Sequence, residues 1–273
     1  MHKSTTLGGA LACGALIALC SGGGASAAEN VSADVGVSYN THFISYGVDV
    51  WHGGTDFYGD RSTAFMWGDL AIKANEALVF TLTVWSDIND NTVSAIGGHI
   101  QEVDFDPGFS YTIGKATLGF GYNAWSYAGD VEQSLDFSVG FDDTGLLAPG
   151  FSLHPKLLWH DRFSGNRGIG QKLGSAIVLS VGPSFPLGDG FSLAVPAGVA
   201  FFTTADFQGG TQSGYGFSYI GGSLGYGLGF IPASYGNWSV NLDLIAYFTD
   251  KRAIPGNPKE NFLTGSVGLK VAY

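Results

Sequence analysis

Charged residues make up only 13% of this chain, so candidates for chemistry are few. Gly221-Gly222-Ser223-Leu224-Gly225 has the spacing of a nucleophile elbow. That string exposes its serine only at a sharp strand-to-helix turn. Here it lies in a Gly-rich strand with no helix after it, so it reads as a coincidence of composition. Gly165 to Gly170 has the spacing of a phosphate-binding loop, but Gln171 stands where a lysine must reach the phosphate. Asp87-Ile88-Asn89-Asp90-Asn91 opens like a calcium loop. Thr92 then replaces the turn glycine and Gly98 the closing glutamate, which leaves a polar turn. His154 and His160 would share one strand face with Lys156 and Arg162. Adjacent positive charge opposes a cation site, so this quartet reads as a basic strip beside water. The expectation is a chain that makes and breaks no bonds and holds no metal or cofactor.

The elements that carry these residues are strands. Apolar and polar residues alternate with period two, the pattern of a strand with two unlike faces. The first such stretch begins at Ala33 and ends near Trp51. Others cover Thr63 to Lys73, Leu78 to Asp87, Val103 to Ile113, Ala116 to Tyr127, Val131 to Phe141 and Phe151 to Arg162. The eighth runs around Ile177 to Phe185 and the ninth from Phe191 to Phe201. The tenth, Tyr215 to Phe230, switches face near Tyr219, where a bulge is expected. Trp238 to Phe248 is the eleventh. In the last, Leu263, Val267, Leu269, Val271 and Tyr273 oppose Thr264, Ser266, Gly268 and Lys270.

Such strands fit an all-β, transmembrane, antiparallel up-and-down β-barrel of about twelve strands; ten or fourteen stay open. In lipid every backbone N–H and C=O must be paired, and closure of a sheet removes its edges. Glycine at 43 of 273 residues and aromatics at 14% oppose a helical or a disordered chain. Most odd-numbered connections are long and most even ones short, as in outer-membrane barrels. The fifth, which is short, and the sixth, around Asp142 to Gly150, break that rule. Met1 to Ala28 has the basic start, apolar run and small-residue end of a signal peptide. Residues 29–273 would then be the barrel domain, without Cys13 and Cys20 and so without disulfides. The bacterial outer membrane is the expected location. A net charge of −11 excludes nucleic acid as a partner. The expected partners are outer-membrane lipids and small hydrophilic solutes, with a homo-oligomer left open.

Inward faces then hold the functional candidates. His42, Glu102, Asp104, Asp106, Asp136, Asp243 and the basic His154, Lys156, His160, Arg162 and Lys270 would line the lumen on different walls. Opposed charge of this kind sets ion selectivity in a pore; inside a plugged barrel it would only neutralise itself. Phe65, Trp67, Trp85, Trp125 and Tyr127 would face inward near the outer end. There they would offer flat surfaces to solutes, unless a bulge turns them out to an interfacial girdle. Twelve-stranded outer-membrane phospholipases place a His two residues before a Ser. Here the residues two after His42, His52, His99, His154 and His160 are Ile44, Gly54, Gln101, Lys156 and Arg162. The expected function is passive diffusion through a charged, partly aromatic channel. The alternatives are a closed barrel that displays its loops, or a lipid-processing enzyme.

The run Val35-Gly36-Val37-Ser38-Tyr39-Asn40-Thr41-His42-Phe43-Ile44-Ser45-Tyr46-Gly47-Val48 resembles the first strand of the TorF family, small barrels proposed as outer-membrane porins. Those chains carry an aromatic, then Arg-Gly and an aliphatic residue. Tyr46 stands here in place of the Arg. The resemblance implies a porin with an undefined solute. Nucleoside-specific channels, also twelve-stranded, are similar in architecture only.

Overall fold

The computed structural model describes residues 30–53, 61–149 and 151–273. The signal segment Met1 to Ala28 lies outside the described residues. The strands are β1 (Val31–Asn40), β2 (Ile44–Ser45), β3 (Val48–Asp49), β4 (Thr63–Lys73), β5 (Leu78–Ile88), β6 (Ile100–Ile113), β7 (Ala116–Tyr127) and β8 (Asp130–Phe141). They continue with β9 (Lys156–Ser164), β10 (Gly174–Val181), β11 (Ser184–Gly188), β12 (Phe191–Ala194), β13 (Ala197–Phe202), β14 (Gly214–Gly227), β15 (Asn237–Thr249) and β16 (Asn261–Ala272).

Fourteen of these segments form one sheet, which closes where β1 pairs with β16 from Asp34↔Ala272 to Asn40↔Ser266. They make twelve wall strands, because β10 with β11, and β12 with β13, are each one strand interrupted at a proline. Pro183 and Pro196 occupy those breaks, where a missing N–H costs no ladder bond. All wall pairings are antiparallel between neighbours in sequence, apart from the closing pair.

The two faces of the wall differ as the alternation requires. On β9, Leu157, Trp159 and Phe163 are exposed, while Leu158, His160 and Arg162 are buried. On β1, Val35, Val37 and Tyr39 are exposed. An outward belt of large apolar side chains this extensive belongs in lipid; a water-soluble monomer rarely carries one. Among the described residues no helix is long and apolar enough to cross a membrane.

Three expectations need correction. The first wall strand ends at Asn40, and the chain to Trp51 turns into the barrel. The seventh wall strand begins at Lys156, so His154 is an exposed loop residue with φ 49°. Pro155, which lacks an N–H, and the left-handed His154 backbone keep that stretch out of the ladder. The bulge of β14 falls at Gly216, where Ala200 pairs with Phe217 but Phe201 pairs with Tyr215.

The connections sort into two sides. One side carries residues 41–53 and 61–62 and the loops 89–99, 165–173, 203–213 and 250–260, with Ala128-Gly129 as the short exception. The other carries the turns 74–77, 114–115 and 189–190, the segment 228–236 and the long loop 142–155. We call the long-loop side outer, following the general rule for such barrels. The loop 142–155 runs beside β11, beyond the start of β9, with Gly182 N–H donating to Leu153 O at 2.8 Å. Asp143 ties this loop together. Its carboxylate accepts from the Ser152 hydroxyl and from the Leu153 and His154 N–H groups, and these bonds hold its pKa down to about 2.

Candidate functional site: a hairpin inside the barrel

Alternation Ile44-Ser45 and Val48-Asp49 around Tyr46-Gly47 is a short hairpin signal. The structure forms it as β2 and β3, with Ile44 opposite Asp49 and Ser45 opposite Val48. Both turn residues have positive φ, 44° at Tyr46 and 81° at Gly47. That is the primed turn whose twist suits a two-residue hairpin. Tyr46 adopts it without being glycine, a strain of about 1–3 kcal/mol that persists only when surroundings enforce it. Its surroundings do: Tyr46 has no exposure.

The hairpin fills the outer half of the lumen. The Tyr46 ring lies 4.5 Å from that of His160, which stacks on Trp125 at 5.4 Å. Phe207, from the outer loop 203–213, closes against Tyr46 and Phe202. Phe43 packs on Phe65 and Trp85 at 5.3 and 5.5 Å. Outer loops then clasp the hairpin backbone. Asn257 Nδ2 donates to Gly47 O at 2.7 Å, and its Oδ1 accepts from Asp49 N–H at 2.8 Å. Gln208 Nε2 donates to Ser45 O at 3.2 Å. Trp51 Nε1 donates to Asp87 Oδ2 at 2.9 Å.

Charge is buried around this plug. Arg162 Nε donates to Glu132 Oε1 at 3.2 Å, both side chains having no exposure. Arg162 Nη1 also reaches the carbonyls of Lys172 and Phe207, and the guanidinium sits 4.2 Å over the Phe207 ring. Tyr127 donates to Glu132 Oε2 at 2.6 Å. His160 Nδ1 lies 2.7 Å from Asp136 Oδ1. The Asp49 carboxyl, on the hairpin, is pushed up to about 7. Burial is the main cause, offset in part by the Gly53 N–H and the charge of Arg61.

Below the plug the interior changes. On the inner half of the wall, inward positions are small or polar and half-buried, among them Asp34, Asp69, Thr83, Ser138, Lys156 and Asp243. Lys270 Nζ pairs with Asp34 Oδ2 at 2.9 Å, and Asp243 Oδ2 accepts from Asn241 and Ser266. Apart from Lys270, which is buried, these side chains keep partial exposure, whereas those packed around the hairpin do not.

The structure places the sequence candidates as follows. His42, Trp85, Glu102, Asp104, Trp125, His160 and Arg162 are buried in the outer half. Trp67, Asp106, Asp136, Lys156 and Asp243 are half-buried inward residues, and Lys270, itself buried, pairs with the half-buried Asp34. Trp125 Nε1 donates to Asp106 Oδ1 at 2.9 Å. Two of the candidates lie off the wall strands: His42, in the chain that turns into the barrel after Asn40, and His154, in the loop before β9. Phe65, Trp85, Trp125 and Tyr127 do face inward, but they pack as core. Sequence reasoning missed Tyr46, Asp49 and Asn257; the Tyr-Gly pair was the available signal for the first two. Ser223 of the elbow string lies within β14, and Asp87 of the calcium-like string is already engaged by Trp51, Thr63 and Asn89.

No protein-family model matches the chain, and no curated protein matches it. Among solved structures, an outer membrane channel from Pseudomonas putida F1 is 10% identical, with a TM-score of 0.53 over 92% of this chain and 98% of its own. The translocator domain of the autotransporter NalP from Neisseria meningitidis is 12% identical, with a TM-score of 0.51 over 98% and 95%. The fold is an outer-membrane β-barrel. At such identities the likeness establishes the fold alone, and with the lipid-facing belt it places this chain in the bacterial outer membrane.

Proposed function

We propose that this barrel is a porin-type channel for small hydrophilic solutes, constricted in its outer half by the β2–β3 hairpin. Solutes cross by diffusion when the hairpin gives way, and no bond chemistry is involved. The observation that supports this reading is the inner half of the lumen, where polar side chains reach water along the wall. A barrel serving only as an anchor gains nothing from a wet, charged interior, because filling it with packed side chains is more stabilising. The resemblance of the first strand to the TorF family points the same way.

The burial of the hairpin favours a second reading, a permanently closed barrel that displays its outer loops. Planar-bilayer conductance separates the two. The full barrel is compared with a variant in which residues 44–49 are replaced by Gly and Ser. The channel reading expects small, intermittent steps from the native protein and larger, long-lived steps from the variant. Silence from both, with folding shown by heat-modifiable gel mobility, would reject the channel. Steps from the variant alone would support the closed barrel.

A further inference from the structure

The outer ends of β14, β15 and β16 carry a feature that a channel does not require. Tyr215 precedes the Gly216 bulge, so it faces outward while Phe217 faces the lumen. Its hydroxyl crosses to the neighbouring strand and donates to Phe248 O at 2.8 Å. Phe248 is exposed on the lipid face of β15, and the ring of Phe201 stands 6.4 Å from Tyr215. Above these aromatics is an open depression of about 470 Å³ between Tyr215, Phe248 and the loop residues Asp250, Arg252 and Glu260. A second, of about 380 Å³, adjoins it between Lys251, Pro258 and Lys259. The two share Glu260 and Asn261.

The charge here is unlike that of the molecule. The chain has 12 Lys and Arg against 23 Asp and Glu. The loop 250–260 nevertheless gathers Lys251, Arg252 and Lys259 against Asp250 and Glu260. Both acids are already engaged. Asp250 takes Arg252 through both oxygens, at 3.1 and 2.8 Å. Glu260 Oε1 accepts from the Lys251 N–H at 3.4 Å. Lys251 Nζ spends one of its three protons on Pro258 O at 3.3 Å. Lys259 is exposed and makes no ion pair among the described residues. Ammonium donors thus stand above an aromatic, lipid-facing wall.

We infer that this sector binds a phosphate-bearing lipid of the outer leaflet, its phosphate on Lys251 and Lys259 and its acyl chains along Phe248 and Tyr215. An occupant that is both anionic and amphipathic fits the pair of depressions: Lys251 and Lys259 line the second, and the first, joined to it at Glu260 and Asn261, is continuous with the lipid belt at Tyr215 and Phe248. A soluble phosphate would use the rim and leave the aromatics unused. Cations at a membrane surface each contribute about a fivefold gain in affinity for anionic lipid.

Native mass spectrometry of the full barrel released from detergent reads the bound lipid directly. The probe is a bisphosphorylated, multiply acylated glucosamine glycolipid, compared with its enzymatically dephosphorylated form and with inorganic phosphate as competitor. The native protein retains the phosphorylated glycolipid. Lys251→Gln with Lys259→Gln loses roughly 25-fold in apparent affinity. Arg167→Gln with Lys172→Gln, the same charge change on another outer loop, loses little. Lys259→Gln alone, at an exposed position, loses about fivefold and guards against misfolding of the pair. Equal retention of the dephosphorylated lipid would overturn the inference, since the wall alone would then be binding. So would equal losses in both double variants, or displacement by inorganic phosphate at concentrations matched to the glycolipid.

Discussion

Inward-facing side chains of the same strands live in two environments. On β9, His160 and Arg162 are sealed, while Lys156, four and six residues nearer the other end, touches water. On β4, Phe65 is buried and Asp69 is half-buried. The strands themselves do not change, and their alternation is continuous. What changes is the filling. In the outer half a hairpin supplies the missing partners, so aromatics and a buried ion pair can be satisfied there. In the inner half the wall faces solvent and carries small or polar residues. The comparison teaches that a lumen position cannot be read from its strand alone; it depends on which loop folds back over it.

The largest expected effect tests whether the outer half is truly dry. Arg162→Ala leaves Glu132 buried with its strongest partner gone. Breaking such a pair costs about 3–5 kcal/mol. In the inner half, Lys270→Ala removes the partner of Asp34, whose side chain retains 18% exposure and can take water instead. That change costs about 2 kcal/mol. Reversible urea unfolding in lipid vesicles measures both. Equal costs would mean that the two halves are equally wet, and the distinction would fail.

The second effect isolates the hairpin. A Cβ on Gly47 would stand 2.6 Å from the Phe217 ring and 2.9 Å from Ile254, at a φ of 81° that side chains rarely adopt. Gly47→Val therefore costs the docked hairpin about 1–3 kcal/mol, by overpacking and by backbone strain. The backbone ladder of the wall does not involve Gly47, so the barrel stays folded. The expected readouts are longer open times in planar bilayers and faster protease cleavage near residue 47 in intact cells. An unchanged open time would show that the hairpin does not limit conduction.

Asp49 sharpens the same point through pH. Its carboxyl ordinarily loses its proton near 4, and burial in the docked hairpin raises that to about 7. The docked form therefore keeps a proton that the undocked form has released. Docking is favoured at acidic pH and weakens as pH rises from about 4 to about 7, then levels off. Open probability should rise over that window and plateau above it. Asp49→Asn should hold the closed state and flatten the dependence. Arg61 faces the same carboxyl, so Arg61→Gln should move the midpoint upward.

Much of the fold was legible because period two is a strong signal when one face meets lipid. The last strand, with Val267 and Leu269 opposite Ser266 and Lys270, needed no partner to be read. The bulge in the tenth strand was legible too, though misplaced by three residues, since Gly216 accommodates it more cheaply than Tyr219. The plug was not legible. Phe43, Ile44 and Val50 continue an apolar pattern from β1, and nothing local says that Asn40 ends the wall. The hairpin is fixed by Asn257 and Gln208, which lie far along the chain. Likewise Trp85 and Trp125 are inward in any register, but only the docked hairpin decides that they are core.

The smallest expected effect concerns the wet half by itself. Its inward acids Asp34, Asp69 and Asp243 outnumber the bases Lys156 and Lys270. If ions cross this region, the excess favours cations. Asp243→Asn removes one acid whose hydrogen bonds, from Asn241 and Ser266, an amide oxygen can still accept. Lys156→Gln removes one base. Neither should shift unfolding by more than about 1 kcal/mol. Reversal potentials in a salt gradient should nevertheless move in opposite directions, toward anions for Asp243→Asn and toward cations for Lys156→Gln. Arg162→Gln in the sealed half offers the contrast, provided that it folds, because a charge that ions never approach should leave the reversal potential alone. A shift there, with none at position 156 or 243, would place the ion path beside the plug and invert the assignment of the two halves.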